Sequence, residues 1–298
     1  MSPCHPPPRR AFTYIELLAM LAIAGILLAI FLPYTQSLNE KARRLRCEDN
    51  LMRLRDALQD YARDNDRGLA MPNYPRVTYD AAVNRDGYSA FTGPDASDPF
   101  SAPVRPSDVT ASLWLLVRGG YVTDLSVFVC PSSNDRPDHL TDAIGRSVPV
   151  HKRSNFRSPE NLSYSYASPF SGSSGYCLNS DLLGGQFALM ADLNPGRVAA
   201  TIPYDATPME LARANSPNHS HAGQNVLYAD GSVSFEITPY CGVHPPDATD
   251  GDNIYTALAP QPLTGEKLFY AGNGFSGRQY GPSYEWDSYL VPTADDRK

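Results

Sequence analysis

The chain has 298 residues, 42% of them hydrophobic, with 27 Pro, 21 Gly and a net charge of −7. That composition suits one apolar span followed by one turn-rich globular domain of ordinary size. Residues 1–68 hold 10 basic and 8 acidic side chains, and residues 69–298 hold 15 and 24, so the globular part is acidic and nucleic-acid binding is not expected as its main task.

Arg9 and Arg10 precede an apolar run from Phe12 to Leu32 that is broken by Thr13 and Glu16. At about 1.5 Å per residue the run makes roughly 30 Å of helix, the thickness of a bilayer core. A carboxylate in that run needs a cause. One is simple: near the end of a spanning helix it reaches the headgroup layer at small cost. A secretory signal peptide is a poorer description, because its apolar core is usually shorter than about 15 residues and is followed by a small-residue cleavage site. Here FLPYTQSLNEKARR leads directly into a charged helical segment.

These residues resemble the type IV pilin and pseudopilin family. In that family a short basic leader is removed before a residue, usually Phe, that becomes N-methylated, and Glu stands at the fifth mature position. The resemblance makes residues 1–11 the leader, places the cut between Ala11 and Phe12, assigns methylation to Phe12, and puts Glu16 at the fifth position. Thr13 and Pro33 also match frequent family residues, whereas Ala11 replaces the usual Gly and Tyr14 the usual Leu. Cutting before Phe12 creates an ammonium group that is costly to bury unpaired. The resemblance implies that Glu16 receives it from the neighbouring subunit, which fixes the axial register of a helical polymer. It further implies an inner-membrane, single-pass protein with its head outside the cytoplasm. The implied partners are copies of itself or related pilins, prepilin peptidase, inner-membrane assembly machinery and membrane lipid. Arg9 and Arg10 favour a cytoplasmic N-terminus; Lys41, Arg43, Arg44 and Arg46 oppose it, so the resemblance decides orientation more than charge does.

Residues 12–33 form the transmembrane and assembly helix in this reading, and 34–68 an amphipathic continuation. Cys47, Leu51, Leu54, Leu58 and Tyr61 recur at intervals of 4, 3, 4 and 3, one stripe suited to packing against a sheet, with Gly68 as the stop. Pro33 removes a backbone bond, so a kink or melted turn is expected there. The head, 69–298, begins loop-rich. Residues 112–122 then read as a helix ended at Gly119-Gly120, 125–133 as a strand entering a turn, and 162–167 and 186–192 as strands. NVLYADGSVSFEI places Asp230-Gly231 between two β-rich runs, the preferred pair for a type I′ hairpin. The expected fold class is α+β: a long N-terminal helix packed on an antiparallel sheet.

NSPNHSHAGQNVLYADGSVSF extends the resemblance to large bacterial pilin-like proteins that carry a His about ten residues before an Asp-Gly pair. Ten residues separate His219 from Asp230 and eight separate His221, so either His can be the equivalent one. The segments around Cys47 and Cys130 are also similar to that family's. If the leader carrying Cys4 is removed, Cys47, Cys130, Cys177 and Cys241 remain, which suits an extracytoplasmic head; the preferred pairing is Cys47 with Cys130 and Cys177 with Cys241. His219 and His221 with Asp230 or Asp192 offer metal-ligand chemistry, yet a complete set with an open position is not legible. No nucleophile motif is present, and no enzymatic activity is expected; the alternative reading is a signal-anchored extracytoplasmic binding protein or metal-dependent hydrolase. Major pseudopilins commonly hold Ca²⁺ in a C-terminal loop. DATDGDN offers Asp247, Asp250, Asp252 and Asn253 as hard oxygen donors for such an ion.

Overall fold

The computed structural model describes residues 13–71, 109–142, 144–169, 177–244, 251–258, 270–271 and 287–297. The chain divides into two compact units, residues 1–42 and 43–298. The first helix, α1, runs from Tyr14 to Asp64 and belongs to both.

In the first unit the window Tyr14–Phe31 has a mean hydropathy of 2.4 and none of it is buried. It is long and apolar enough to cross a membrane and could serve as an anchor or a signal sequence. Its start is fixed locally. Thr13 donates its backbone N–H and its hydroxyl to Glu16 Oε2, each at 2.9 Å, while the Glu16 N–H reaches back to Thr13 Oγ1 at 3.3 Å. This reciprocal pattern is a capping box, so Glu16 has an intrachain use in satisfying an orphan donor of the first turn. The expected cut between Ala11 and Phe12 lies outside the described residues. The backbone stays helical through Pro33, so the turn there is not melted.

In the second unit the stripe read from the sequence becomes the core. Cys47, Leu51, Leu54 and Leu58 are buried, and Tyr61 packs against them half-buried. The helix ends at Asp64, where Asp66 and Arg67 turn left-handed and the Arg67 N–H closes on the Ala62 carbonyl. The sheet contains β1 (Tyr164–Ala167), β2 (Ala188–Asp192), β3 (Gln224–Tyr228), β4 (Val233–Glu236) and β7 (Leu290–Val291), in the order β4-β3-β2-β1-β7, every pair antiparallel. Strands β5 (Ala257–Leu258) and β6 (Tyr270–Ala271) form a separate two-stranded pair. The fold class is therefore α+β, with an apolar N-terminal helix and a five-stranded antiparallel sheet. β1, β2 and β3 are buried along their whole length, including the polar side chains of Ser165, Asp192, Gln224 and Asn225.

Helix α2 (Val109–Arg118) ends at Gly119-Gly120 as its sequence requires, and it seats Trp114 against Phe156 at 5.1 Å between ring centres. Two expectations are corrected. Residues 125–128 form a 3₁₀ turn instead of a strand, because Asp124 Oδ1 accepts the Ser126 N–H and winds the chain locally. The hairpin at Asp230-Gly231 is not type I′: only Gly231 has positive φ, +86°, the Gly231 N–H bonds the Tyr228 carbonyl and the Tyr228 N–H bonds the Ser232 carbonyl. That is a type I turn closed by a glycine bulge, a three-residue loop that tolerates Asp at its second position. Helices α3 (Arg197–Thr201) and α4 (Pro208–Ala214) lie between β2 and β3; α4 starts with a Thr207–Glu210 capping box.

Truncating the stripe should be costly because it fills the space between α1 and the sheet. Leu54→Ala is expected to lower the unfolding free energy of the second unit by about 2–5 kcal/mol, read by denaturant titration of the full chain in detergent micelles.

Candidate functional site

Four separate segments meet beneath the sheet. Cys47 comes from α1, Cys130 from the segment after the 3₁₀ turn, Asp192 from the end of β2, and His219 from the turn that enters β3. All four side chains are buried, and their ligand-type atoms lie within 4.8 Å of one another. Cys47 and Cys130 form a disulfide with Cα atoms 5.4 Å apart, joining residues 83 apart in sequence. The first expected pairing is thus present. The second is not: Cys177 and Cys241 are free thiols, the former exposed, the latter half-buried with its sulfur against the Pro239 carbonyl. Cys177 sits where Asn179 bridges Gly68, just past the end of α1, whereas Cys241 follows β4 and lies by Tyr228.

The spacing of the His and the Asp-Gly pair has a structural reason. His219, Ser220 and His221 all take positive φ, +55°, +55° and +62°, an uncommon left-handed turn for residues other than glycine. It turns His219 inward, and the five residues of β3 then carry the chain to the surface turn at Asp230. Gly223 is needed in between, since a Cβ there would collide with the Glu236 carbonyl and the Phe235 ring. Of the two candidate histidines, only His219 reaches the cluster; His221 Nδ1 instead contacts the Asn215 carbonyl at 2.9 Å. Asp230 also lies apart, accepting the Ser232 N–H and hydroxyl, which hold its carboxyl below the usual range. The Gly231 carbonyl takes a bond from Arg55 of α1 at 3.2 Å, so the Asp-Gly turn docks the hairpin on the helix.

Within the cluster His219 Nε2 lies 3.4 Å from Asp192 Oδ2 and 3.5 Å from Cys130 Sγ. Asp192 is held by three donors: the Asn225 N–H at 2.7 Å, Asn225 Nδ2 at 3.2 Å and Asn218 Nδ2 at 3.1 Å. The Tyr164 hydroxyl donates to Cys47 Sγ at 3.4 Å and itself accepts from Asn50 Nδ2. Burial first, and then the Asp192 charge, push the Tyr164 hydroxyl well above its usual range, so it remains a donor. Asp192 and His219 were legible as metal-ligand types; their meeting with the cysteines was not, because the outermost of the four, Cys47 and His219, lie 172 positions apart in sequence.

The anticipated calcium loop is described only in part, since Asp247 and Asp250 lie outside the described residues. Asn253 is committed to backbone partners, with Nδ2 on the Ala199 carbonyl and Oδ1 accepting the Tyr255 N–H. Asp252 is buried. One of its oxygens accepts the Ser288 N–H at 2.8 Å, while Oδ1 has no hydrogen-bond partner among the described residues. Burial, and secondarily the nearby Asp287 carboxylate, push its carboxyl well above the usual range.

Comparison with protein-family models, curated proteins and solved structures finds no match.

Asp192 carries the polar order of this site. Asp192→Ala would leave the three donors from Asn218 and Asn225 buried without their acceptor, and an expected loss of about 3–5 kcal/mol follows, measured by chemical unfolding beside wild type.

Proposed function

We propose that this protein is a structural subunit of a type IV pilus or type II secretion pseudopilus-like filament, processed by prepilin peptidase and polymerised through its N-terminal helix. One observation carries the reading: a single helix is wholly apolar and uncovered over Tyr14–Phe31, apart from Glu16, and from Cys47 onward its stripe is the core of a disulfide-tied head. The first stretch needs a lipid or protein partner to cover it, and the second fixes the head to whatever the first assembles into. The disulfide and the acidic head suit an extracytoplasmic location. The enclosure of the Cys, His and Asp side chains supports a structural part for them, against the alternative of a signal-anchored metal-dependent hydrolase, whose metal would need an open position.

The mature N-terminus tests this reading. Mass spectrometry of protein from the native host is expected to show N-methyl-Phe12; an intact Met1, or a cut after residue 33, would overturn it. The capping box allows a sharper test of Glu16. Glu16→Gln keeps a capping side chain but removes the charge, so it should leave insertion and the head intact while abolishing filament assembly. Thr13→Ala disturbs the cap and keeps the charge, and it should still assemble. Equal incorporation of Glu16→Gln into filaments would remove the charge-pair role.

A calcium site in the C-terminal loop is the second part of the proposal, favoured by Asp252 Oδ1, which lacks a hydrogen-bond partner among the described residues and lies beside a second carboxylate. Without an ion, the raised Asp252 carboxyl contributes stability that is full below its ordinary value of 3.8 and is lost as pH rises through the elevated one. In chelator, Asp252→Asn should therefore become progressively more stable than wild type as pH is raised. Millimolar Ca²⁺ should stabilise wild type and leave Asp252→Asn unmoved, as read by calorimetry of the full chain in micelles. Identical wild-type midpoints with and without Ca²⁺ would remove the calcium site.

A further inference from the structure

We propose that Cys47, Cys130, His219 and Asp192 form a redox-gated site for a divalent ion of the zinc class, closed as a disulfide when oxidised and open to the metal when reduced. The inference stands independently of the filament reading.

A disulfide alone has no need of a buried imidazole and carboxylate at its sulfurs. Burying that pair is expensive and adds little net stability, and His219 is brought there by a left-handed turn that non-glycine residues rarely adopt. The four groups nonetheless converge with their ligand atoms within 4.8 Å of one another. Two thiolates, one imidazole and one carboxylate are a donor set suited to tetrahedral Zn²⁺. Bond lengths of about 2.3 Å to sulfur and about 2.0 Å to nitrogen or oxygen imply ligand–ligand separations of roughly 3.2–3.8 Å. The 3.4 Å and 3.5 Å separations from His219 Nε2 to Asp192 and to Cys130 already fall in that range. The two sulfurs must part, to about 3.7 Å, and the remaining pairs, all within 4.8 Å, must settle into the same range. Cα atoms 5.4 Å apart allow this by rotation of the side chains.

The surroundings are those of a supported metal site. Asn218 and Asn225 orient the carboxylate, and the Tyr164 hydroxyl donates to Cys47 Sγ, stabilising negative charge on that sulfur. Two thiolates, a carboxylate, a neutral imidazole and a divalent ion sum to one negative charge, which these four donors face. In the conversion, a dithiol reductant supplies two electrons and two protons. The sulfur–sulfur bond breaks, two thiols form, and the reductant becomes a disulfide. The ion then displaces both thiol protons to solvent. Reoxidation passes the two electrons to an acceptor disulfide, which takes two protons from solvent to become a dithiol, and expels the ion, since a bonded sulfur pair is no longer a thiolate ligand.

The experiment uses the full chain in detergent micelles with Cys4, Cys177 and Cys241 changed to Ser, leaving Cys47 and Cys130 as its cysteines. Oxidised and phosphine-reduced forms are titrated with Co²⁺ and then Zn²⁺. The reduced form is expected to take up one Co²⁺ per chain, with the visible bands of a tetrahedral ion and a near-ultraviolet thiolate charge-transfer band; Zn²⁺ should bleach both. The oxidised form should show neither set of bands. Asn218→Ala, which removes one support of Asp192, should weaken binding by about 10–100-fold, and His219→Ala should weaken it further. If reduction alone disorders the head, one equivalent of Zn²⁺ should restore its near-ultraviolet dichroism. Tetrahedral Co²⁺ bands from the oxidised form, absence of the thiolate band from the reduced form, no uptake by a folded reduced form, or failure of Zn²⁺ to restore a disordered one would each overturn the proposal.

Discussion

Burial of one helical stripe against a sheet is the constraint on which the rest of this protein depends. Cys47, Leu51, Leu54 and Leu58 lie along one face of α1, fully removed from water, and the disulfide to Cys130 fixes that face to the segment beside the sheet. Apolar burial supplies the driving force and the covalent link removes alternatives from the unfolded chain. On the same helix the apolar window ends at Phe31, and the charged residues Glu40, Lys41, Arg43, Arg44 and Arg46 separate it from the first core residue, Cys47.

The polar interior follows from that arrangement. α1 brings a sulfur to the end of β2, where Asp192 projects, and the strand that pairs with β2 begins at the turn carrying His219. Antiparallel pairing of β2 with β3, registered as Ala191 opposite Val226, makes Asp192 and the entry to β3 neighbours. Asn225 and Asn218 flank that entry and satisfy the carboxylate. A buried carboxylate so provided with donors is tolerated, while Asp252 keeps one oxygen without a hydrogen-bond partner among the described residues.

Glu16 illustrates how one residue can meet two demands. Its contacts with Thr13 start the helix, a local requirement of any helix whose first N–H groups lack partners. The filament reading asks the same carboxylate to receive the charge of a neighbouring chain. The two uses separate cleanly by chemistry, since an amide caps a helix as well as a carboxylate does and cannot neutralise an ammonium.

Local pattern alone determined the apolar span, the stripe from Cys47 to Tyr61, helix α2 with its glycine stop, strands β1 and β2, and the position of the hairpin at Asp230-Gly231. Each of these rests on periodicity or turn chemistry within about ten to twenty residues. The Thr13–Glu16 box and the start of α4 follow Thr-x-x-Glu patterns that were not read from the sequence. Tertiary structure decided what depends on distant segments: that His219 and not His221 turns inward, that Asp192 meets it, that Cys177 and Cys241 stay apart, and that only the bulge glycine of the hairpin is left-handed. The 125–128 stretch became a 3₁₀ turn because Asp124 captured a backbone donor that strand propensity ignores. Convergence of positions 47, 130, 192 and 219 is set by strand order and register, and neither leaves a periodic trace in the chain.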